Sequence, residues 1–301
     1  MNEENQPLKI RHLRDKTEGL LNFSDYRKGI HKVGYGVILF FLIVFAMTAL
    51  IPVLWLFITS FKSVSEINSN IYRLFPQNFD ITKIGEVWEK TNFGRYYLNT
   101  LIVVVGAVVC AVLFNGLLAY AVAILKPIGS KAINALILIS YMVPSMLAIF
   151  PLVMEIKDFH FINSYLPLWL SFGANAYYYL LFKDYFEKIP SSLLEAARMD
   201  GGNDIDVFFR VILPLSRPAI GVVAIFAMTA SYSDFLLPYL VLNDQKMQTV
   251  MVAVYRLSST TTLDASEFLL LLVISILPQV LIFILFQKQI MGTSVNSGMK
   301  E

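Results

Sequence analysis

Cysteine is all but absent from this 301-residue chain, where Cys110 stands alone. One thiol supports neither a disulfide framework nor a thiolate metal cage, and inside an apolar run Cys110 reads as a small buried hydrophobe. Histidine is scarce too. His12, His31 and His160 lie far apart, and none has a second ligand at metal spacing. Charged residues make up 15%, against about a quarter in soluble domains. A net charge of +2 is too small to point to a nucleic-acid partner. The chain has no G-x-x-x-x-G-K-S/T loop, so nothing in it cradles nucleotide phosphates in that manner. Clustered His, Asp or Glu inside apolar runs, which a membrane-embedded enzyme would need, are missing as well.

What is present is apolar surface. Hydrophobic residues make up 56%, with 23 Phe and 15 Tyr, and the mean hydropathy is +0.62. That composition excludes disorder and argues for an integral membrane protein. A helix crossing about 30 Å of hydrocarbon needs about 20 apolar residues. Reading between charges gives six candidates: Val33–Phe61, Tyr96–Leu125, Ala132–Met154, Phe159–Phe182, Pro218–Leu242 and Phe268–Gln287. The fifth is interrupted by Asp234. Residues 1–32 are polar and basic and lack a small-residue cleavage site, so the first span reads as an uncleaved anchor. With the N-terminus inside, the cytoplasmic segments hold sixteen Lys and Arg and the outer loops eight. The positive-inside rule then places both termini in the cytoplasm.

The inner segment between the fourth and fifth spans, Lys183 to Arg217, differs from the other connections. Pro190 breaks what precedes it. Ser192 can cap a new helix, with Glu195 closing a capping box. Leu193, Leu194, Ala196 and Ala197 continue as helix formers, and Gly201 with Gly202 supplies a left-handed end. Asn203 or Asp204 then caps a second turn, with Val207, Phe208, Val211 and Ile212 at helical spacing. Pro214 and Pro218 are expected to stop it. The pattern predicts a short helix, a glycine turn and a second short helix on the cytoplasmic face. An amphipathic loop lying on lipid headgroups is the plainer reading, but both signs of charge and the glycine break disfavour it.

Glu195-Ala196-Ala197, then Gly201, then Val211-Ile212-Leu213-Pro214, resembles the signature loop of ABC importer permeases, with Val211 in place of the family's isoleucine. Six fixed positions match by chance about once in ten million windows at ordinary residue usage. Asn99-Thr100, Ala119-Tyr120-Ala121, Met142-Val143-Pro144 with Pro151, and Phe286-Gln287-Lys288 extend the likeness to the shorter, six-span permease of maltose-type carbohydrate importers. The resemblance covers residues 95–290 well and 33–94 loosely, with 291–301 left as a cytoplasmic tail. It implies an all-α integral membrane protein of type I ABC importer permease fold. It also implies four kinds of partner: a second permease, two ATP-binding-cassette ATPase subunits that bind the ATP, an extracytoplasmic sugar-binding protein, and the bilayer. By the same resemblance Glu195 would make polar contacts in a groove of the ATPase. Ala196 and Ala197 would permit close approach, Gly201 would set the bend, and Leu213 with Pro214 would anchor the return to the membrane. An importer for a non-sugar solute stays open, and so does an ion-driven secondary transporter, although the latter would be expected to show several intramembrane charges.

Three residues are candidates for a substrate pathway. Asp234 reads either as a polar group lining an outward-opening path or as an interfacial residue just beyond a helix end. Tyr232 reads as a ring that could stack on a sugar or as a membrane-interface tyrosine. Asn115, polar at mid-span, reads first as a helix–helix hydrogen-bonding group and second as a substrate contact. Pro144, Pro151, Pro238 and Pro278 are candidate kinks.

Overall fold

The computed structural model describes residues 29–69, 73–259 and 262–297, with side chains for 33–68, 73–259 and 262–287. Among these residues every regular element is helical. Residues 1–28 and 298–301 lie outside the described set, so the basic N-terminal segment and the end of the tail receive no structural account. In chain order the helices are α1 (Gly29–Ser60), α2 (Val64–Ser69), α3 (Thr82–Thr91), α4 (Phe93–Tyr120), α5 (Ser130–Met142), α6 (Ser145–Asp158), α7 (Leu166–Gly173) and α8 (Ala176–Phe186). They are followed by α9 (Ser191–Met199), α10 (Asp204–Val207), α11 (Leu213–Leu215), α12 (Arg217–Ser233), α13 (Leu236–Val241), α14 (Val250–Ser258) and α15 (Ala265–Ser297).

Residues 1–56 and 57–301 form separate compact units. The first holds most of α1, whose stretch Val33–Ser60 has mean hydropathy 2.9. Two more stretches are continuous and apolar enough to cross a bilayer, Phe93–Leu125 and Ala265–Gln287. Two bent pairs, α5 with α6 and the α10–α11 segment with α12, bring the number to at most five by length and apolarity. The expected fourth span is split at Ala174 and Asn175 into α7 and α8.

Proline chemistry explains the largest bend. Pro144 pushes Val143 into an extended conformation (ψ 125°), and the third apolar stretch turns through 105° between α5 and α6. Pro151 and Pro278 stay inside helices. Pro214 behaves differently from the expectation. It cannot donate to the Arg210 carbonyl, and its ring needs room there. The backbone widens instead into a π turn over Phe208–Ile212. The helix therefore runs past Pro214 and breaks only at Ser216, where it turns 81° into α12. The Ser216 hydroxyl and amide both donate to the Ile212 carbonyl, at 2.7 and 3.0 Å.

Helix α4 is the axis of the larger unit and packs against α7, α8 and α12. Its approach to α7 is set by glycine. A Cβ on Gly106 would fall 2.2 Å from the indole Nε1 of Trp169. One core gathers Tyr179, Phe182 and Phe186 of α8, Phe208 and Ile212 of the π turn, and Ala119, Tyr120 and Val223 from α4 and α12. Where α7 gives way to α8, Asn115 serves both broken ends. Its Nδ2 donates to Ala111 O (2.8 Å) and Phe172 O (2.9 Å), and its Oδ1 accepts from the Asn175 amide (3.0 Å). Asn175 in turn caps α8 by accepting from the Tyr177 and Tyr178 amides. Asn115 is only 1% exposed, and two of these three hydrogen bonds join α4 to the α7–α8 break while the third stays within α4. Replacing Asn115 with Leu should lower the stability of the purified protein by about 1–2 kcal/mol, read as a lower melting temperature in detergent. Lost uptake at an unchanged melting temperature would instead make Asn115 a substrate contact.

On the other side of the unit, Lys83 of α3 ties the end of α1 to the start of α15. Its Nζ donates to the Ser60 carbonyl (2.8 Å), the Lys62 carbonyl (3.3 Å) and the Ser266 hydroxyl. Burial pushes this ammonium below the ordinary lysine range, against the pull of Asp264, Glu267 and Asp80.

Candidate coupling surface and pathway residues

Helix α9 begins directly after Pro190, with Ser191 as its first residue. Ser192 therefore lies within the first turn, and neither it nor Glu195 forms the expected capping box. The end of α9 is a Schellman motif. Gly201, at φ +85°, donates to Arg198 O (3.0 Å), and the Gly202 amide donates to Ala197 O (3.1 Å). A Cβ on Gly202 would lie 2.9 Å from that same carbonyl, so both glycines are required for different reasons. Asn203, rather than Asp204, caps α10 by accepting from the Ile205 and Asp206 amides. Asp204 is left to pair with Arg198 at 3.1 Å across the turn.

Burial divides α9 into two faces. Leu194 is buried, and Ala197 packs against the same core, one helical turn further on. Ser192, Glu195, Ala196 and Met199 are exposed, with Met199 at 84%. Of the residues singled out for the return to the membrane, Leu213 is half-buried against the core and Pro214 is exposed. The fully buried side chains here are Phe208 and Ile212. Phe208 packs at a tilt of 49° against Tyr120 of α4, with ring centroids 5.4 Å apart, and the Tyr120 hydroxyl lies beside Arg198. The loop is thereby keyed to the ends of α4, α8 and α12. Helix α8 continues to Phe186, so the segment 183–217 opens with the last turn of that helix.

The three pathway candidates fall in different environments. Tyr232 is buried, and its hydroxyl donates to the Ser275 carbonyl at 2.6 Å, which joins α12 to α15. This contact occupies the ring's polar end. Asp234 stands where α12 ends, with extended backbone (ψ 123°) and its carboxylate against the amides of Leu236 and Leu237 at the start of α13. Asn115 is the helix tie described above. Beside Asp234, the Ser233 hydroxyl accepts from Gln279 Nε2 at 2.7 Å.

The model for "Binding-protein-dependent transport system inner membrane component" matches residues 115–291. The chain belongs to this family. It is thus a transport permease and not an enzyme, a multi-pass component of a bacterial inner membrane working with a binding protein. A diacetylchitobiose uptake system permease from Streptomyces coelicolor is 33% identical over 85% of this chain and 86% of its own. An arabinooligosaccharide transport system permease from Bacillus subtilis is 30% identical over 68% of this chain and 73% of its own. A crystal structure of a bacterial ABC transporter that imports alginate superposes with TM-score 0.76 at 23% identity, covering 89% of this chain and 98% of that one. The likeness identifies the type I permease fold.

Several residues of this permease carry weight that the sequence reading did not assign. Leu194, Phe208 and Ile212 key the loop to the core, and their signal was the helical spacing of apolar residues on either side of Gly201. Asn99 and Thr100 clamp the connection before α14. Asn99 Nδ2 donates to the carbonyls of Lys246 and Gln248 (both 2.9 Å), and Thr100 Oγ1 accepts from the Val250 amide. Gln279, next to Pro278 in an apolar run, was legible as a mid-span polar residue but passed unmarked.

Proposed function

We propose that this permease imports carbohydrate, an oligosaccharide in particular, and is driven by a separate ATPase that docks on α9. The transporter would comprise this chain, a second permease, two ATPase subunits and an extracytoplasmic binding protein. Six crossings follow if α7 and α8 together count as the fourth. Both termini are then cytoplasmic, as the distribution of Lys and Arg requires. Residues 183–217 form the coupling segment within a core of 95–290.

The observation that carries the coupling role is the two-faced burial of α9. Leu194 and Ala197 lock the helix to the bundle, while Glu195, Ala196 and Met199 are presented outward. A force applied to the outer face passes through Phe208 and Ile212 to α4, α8 and α12. Glu195 supplies a charge for the partner groove, Ala196 leaves room for approach, and exposed Met199 adds an adaptable apolar contact. ATP binding can drive transport only if the two conformations differ in interaction energy with the ATPase, and this surface is where such a difference would enter. Support for the sugar class comes from the substrates named for the relatives, which include diacetylchitobiose and arabinooligosaccharides. The test is uptake by the complete transporter, reconstituted with its binding protein, of labelled raffinose, diacetylchitobiose and arabinotriose. Uptake of at least one is expected. Uptake of sn-glycerol 3-phosphate alone, the solute named for another relative, would contradict the sugar assignment.

A further inference from the structure

We propose that this permease itself touches the transported sugar, through an aromatic cradle formed by Phe235, Tyr239 and Tyr255 at the break between α12 and α13. The inference rests on the carbohydrate reading above and assigns it a contact surface. Phe235 and Tyr239 stack with ring centroids 5.2 Å apart, and Tyr255 of α14 closes on both at 4.9 and 5.3 Å. Tyr255 is 49% exposed, so the cluster is not a closed core. It borders a cavity of about 280 Å³ that Met251, Val254, Ser258 and Phe268 also line.

The cavity itself is lined by apolar and aromatic side chains with Ser258 as its one polar group, and further polar groups stand at the adjoining helix end. Asp234 is adjacent in sequence, and the exposed Ser233–Gln279 pair lies at the same helix end. A carboxylate and an exposed hydroxyl–amide pair are costly against hydrocarbon but suit the hydroxyls of a sugar whose apolar face covers a ring. Sites of this kind are concave and aromatic, with a few placed polar groups. Secondary transporters hold substrate at broken helices, and α12 breaks here in the same manner.

The cradle is held from several sides. Arg256 lies 5.7 Å over the Tyr239 ring. With the buried Gln248 amide turned so that its oxygen faces the guanidinium, Arg256 Nε and Nη1 donate to that oxygen at 3.2 and 3.0 Å. Asn99 and Thr100 fix the backbone just before α14. The 17 residues of α12 put the break about 25 Å along that helix from the end that follows α11. The cradle therefore lies toward the outer face, where a binding protein would deliver its sugar.

The experiment uses the reconstituted complete transporter with its binding protein and labelled raffinose, diacetylchitobiose, arabinotriose and sn-glycerol 3-phosphate. For a sugar that the unaltered transporter imports, Tyr255→Ala should lower uptake about tenfold, while Tyr255→Phe stays within about twofold because the ring remains. Stimulation of ATP hydrolysis by the loaded binding protein should persist in both variants. Sugar uptake by Tyr255→Ala within about twofold of the unaltered rate would overturn the cradle and leave the carbohydrate reading intact. Loss of ATPase stimulation or of subunit assembly in Tyr255→Ala would also overturn it, showing that the rings pack protein. Import of sn-glycerol 3-phosphate only, or of none of the four, would overturn both readings.

Discussion

Glu195→Lys and Gly201→Asp are each expected to leave the permease inserted and stable while uptake falls to background. Glu195 is exposed and makes no ion pair within the chain among the described residues. Reversing its charge therefore costs the fold little, and the effect should fall on the partner. At Gly201 a side chain would meet nothing within 4 Å, but the backbone is left-handed at φ +85°. A residue with a Cβ is strained there by about 1–2 kcal/mol, and Asp adds a carboxylate between Asp200 and Asp206 along the same surface. The α9–α10 angle and the charge of the docking face change together. The measurements are membrane insertion, melting temperature and sugar uptake. Normal uptake by either variant would contradict docking at α9.

Phe208→Ala should act from the opposite side of the loop, through the fold. Phe208 is fully buried between Tyr120, Gly116 and the α8 aromatics. Truncating a buried Phe costs about 3–5 kcal/mol through lost burial and the cavity left behind. Its neighbour Phe209 is 46% exposed, so Phe209→Ala serves as a matched control with a much smaller expected effect. Trypsin cleavage at Arg198 and Arg210 in inside-out vesicles is the readout. Faster cleavage is expected for Phe208→Ala, together with loss of ATPase stimulation by the binding protein. Equal cleavage of the two variants would mean that the loop is not keyed to the helices through Phe208.

The legible parts of this molecule were those where chemistry is local. The glycine turn, a cap at Asn203 or Asp204 and the helical spacing of Val207, Phe208, Val211 and Ile212 all follow from adjacent residues, and the structure contains the turn and the spacing and settles the cap on Asn203. The extended Val143 and the bend after it follow from the residue-before-proline rule. Pro214 departs from the expected helix stop because a proline can be accommodated by widening the preceding turn as well as by ending the helix, and only the surrounding core decides between the two. Ser192 lost its cap role because Pro190 already sets the extended residue from which α9 starts, one position earlier.

Long-range partners were not legible at all. Tyr232 and Ser275 are far apart in sequence, so the hydrogen bond that joins them could not be read from either residue alone. The same holds for Asn115, whose position alone suits a packing or a substrate role until Phe172 O and Asn175 N are seen beside it. The apolar count was informative on membrane embedding but not on continuity. Phe159–Phe182 reads as one run, yet Asn175 caps a new helix within it, using Asn115 to satisfy the amide that the break exposes.

Docking of the ATPase on α9 can be tested by placing one cysteine at its outer end. Met199→Cys in a Cys110→Ala background puts a single thiol on a residue of that helix that is 84% exposed. In the assembled transporter, a membrane-impermeant maleimide should label it from the cytoplasmic side when the ATPase has been stripped away, and the returned ATPase should block the labelling. Labelling from the outer side only, or labelling that is unchanged by the ATPase, would contradict both the placement of α9 and its role in coupling.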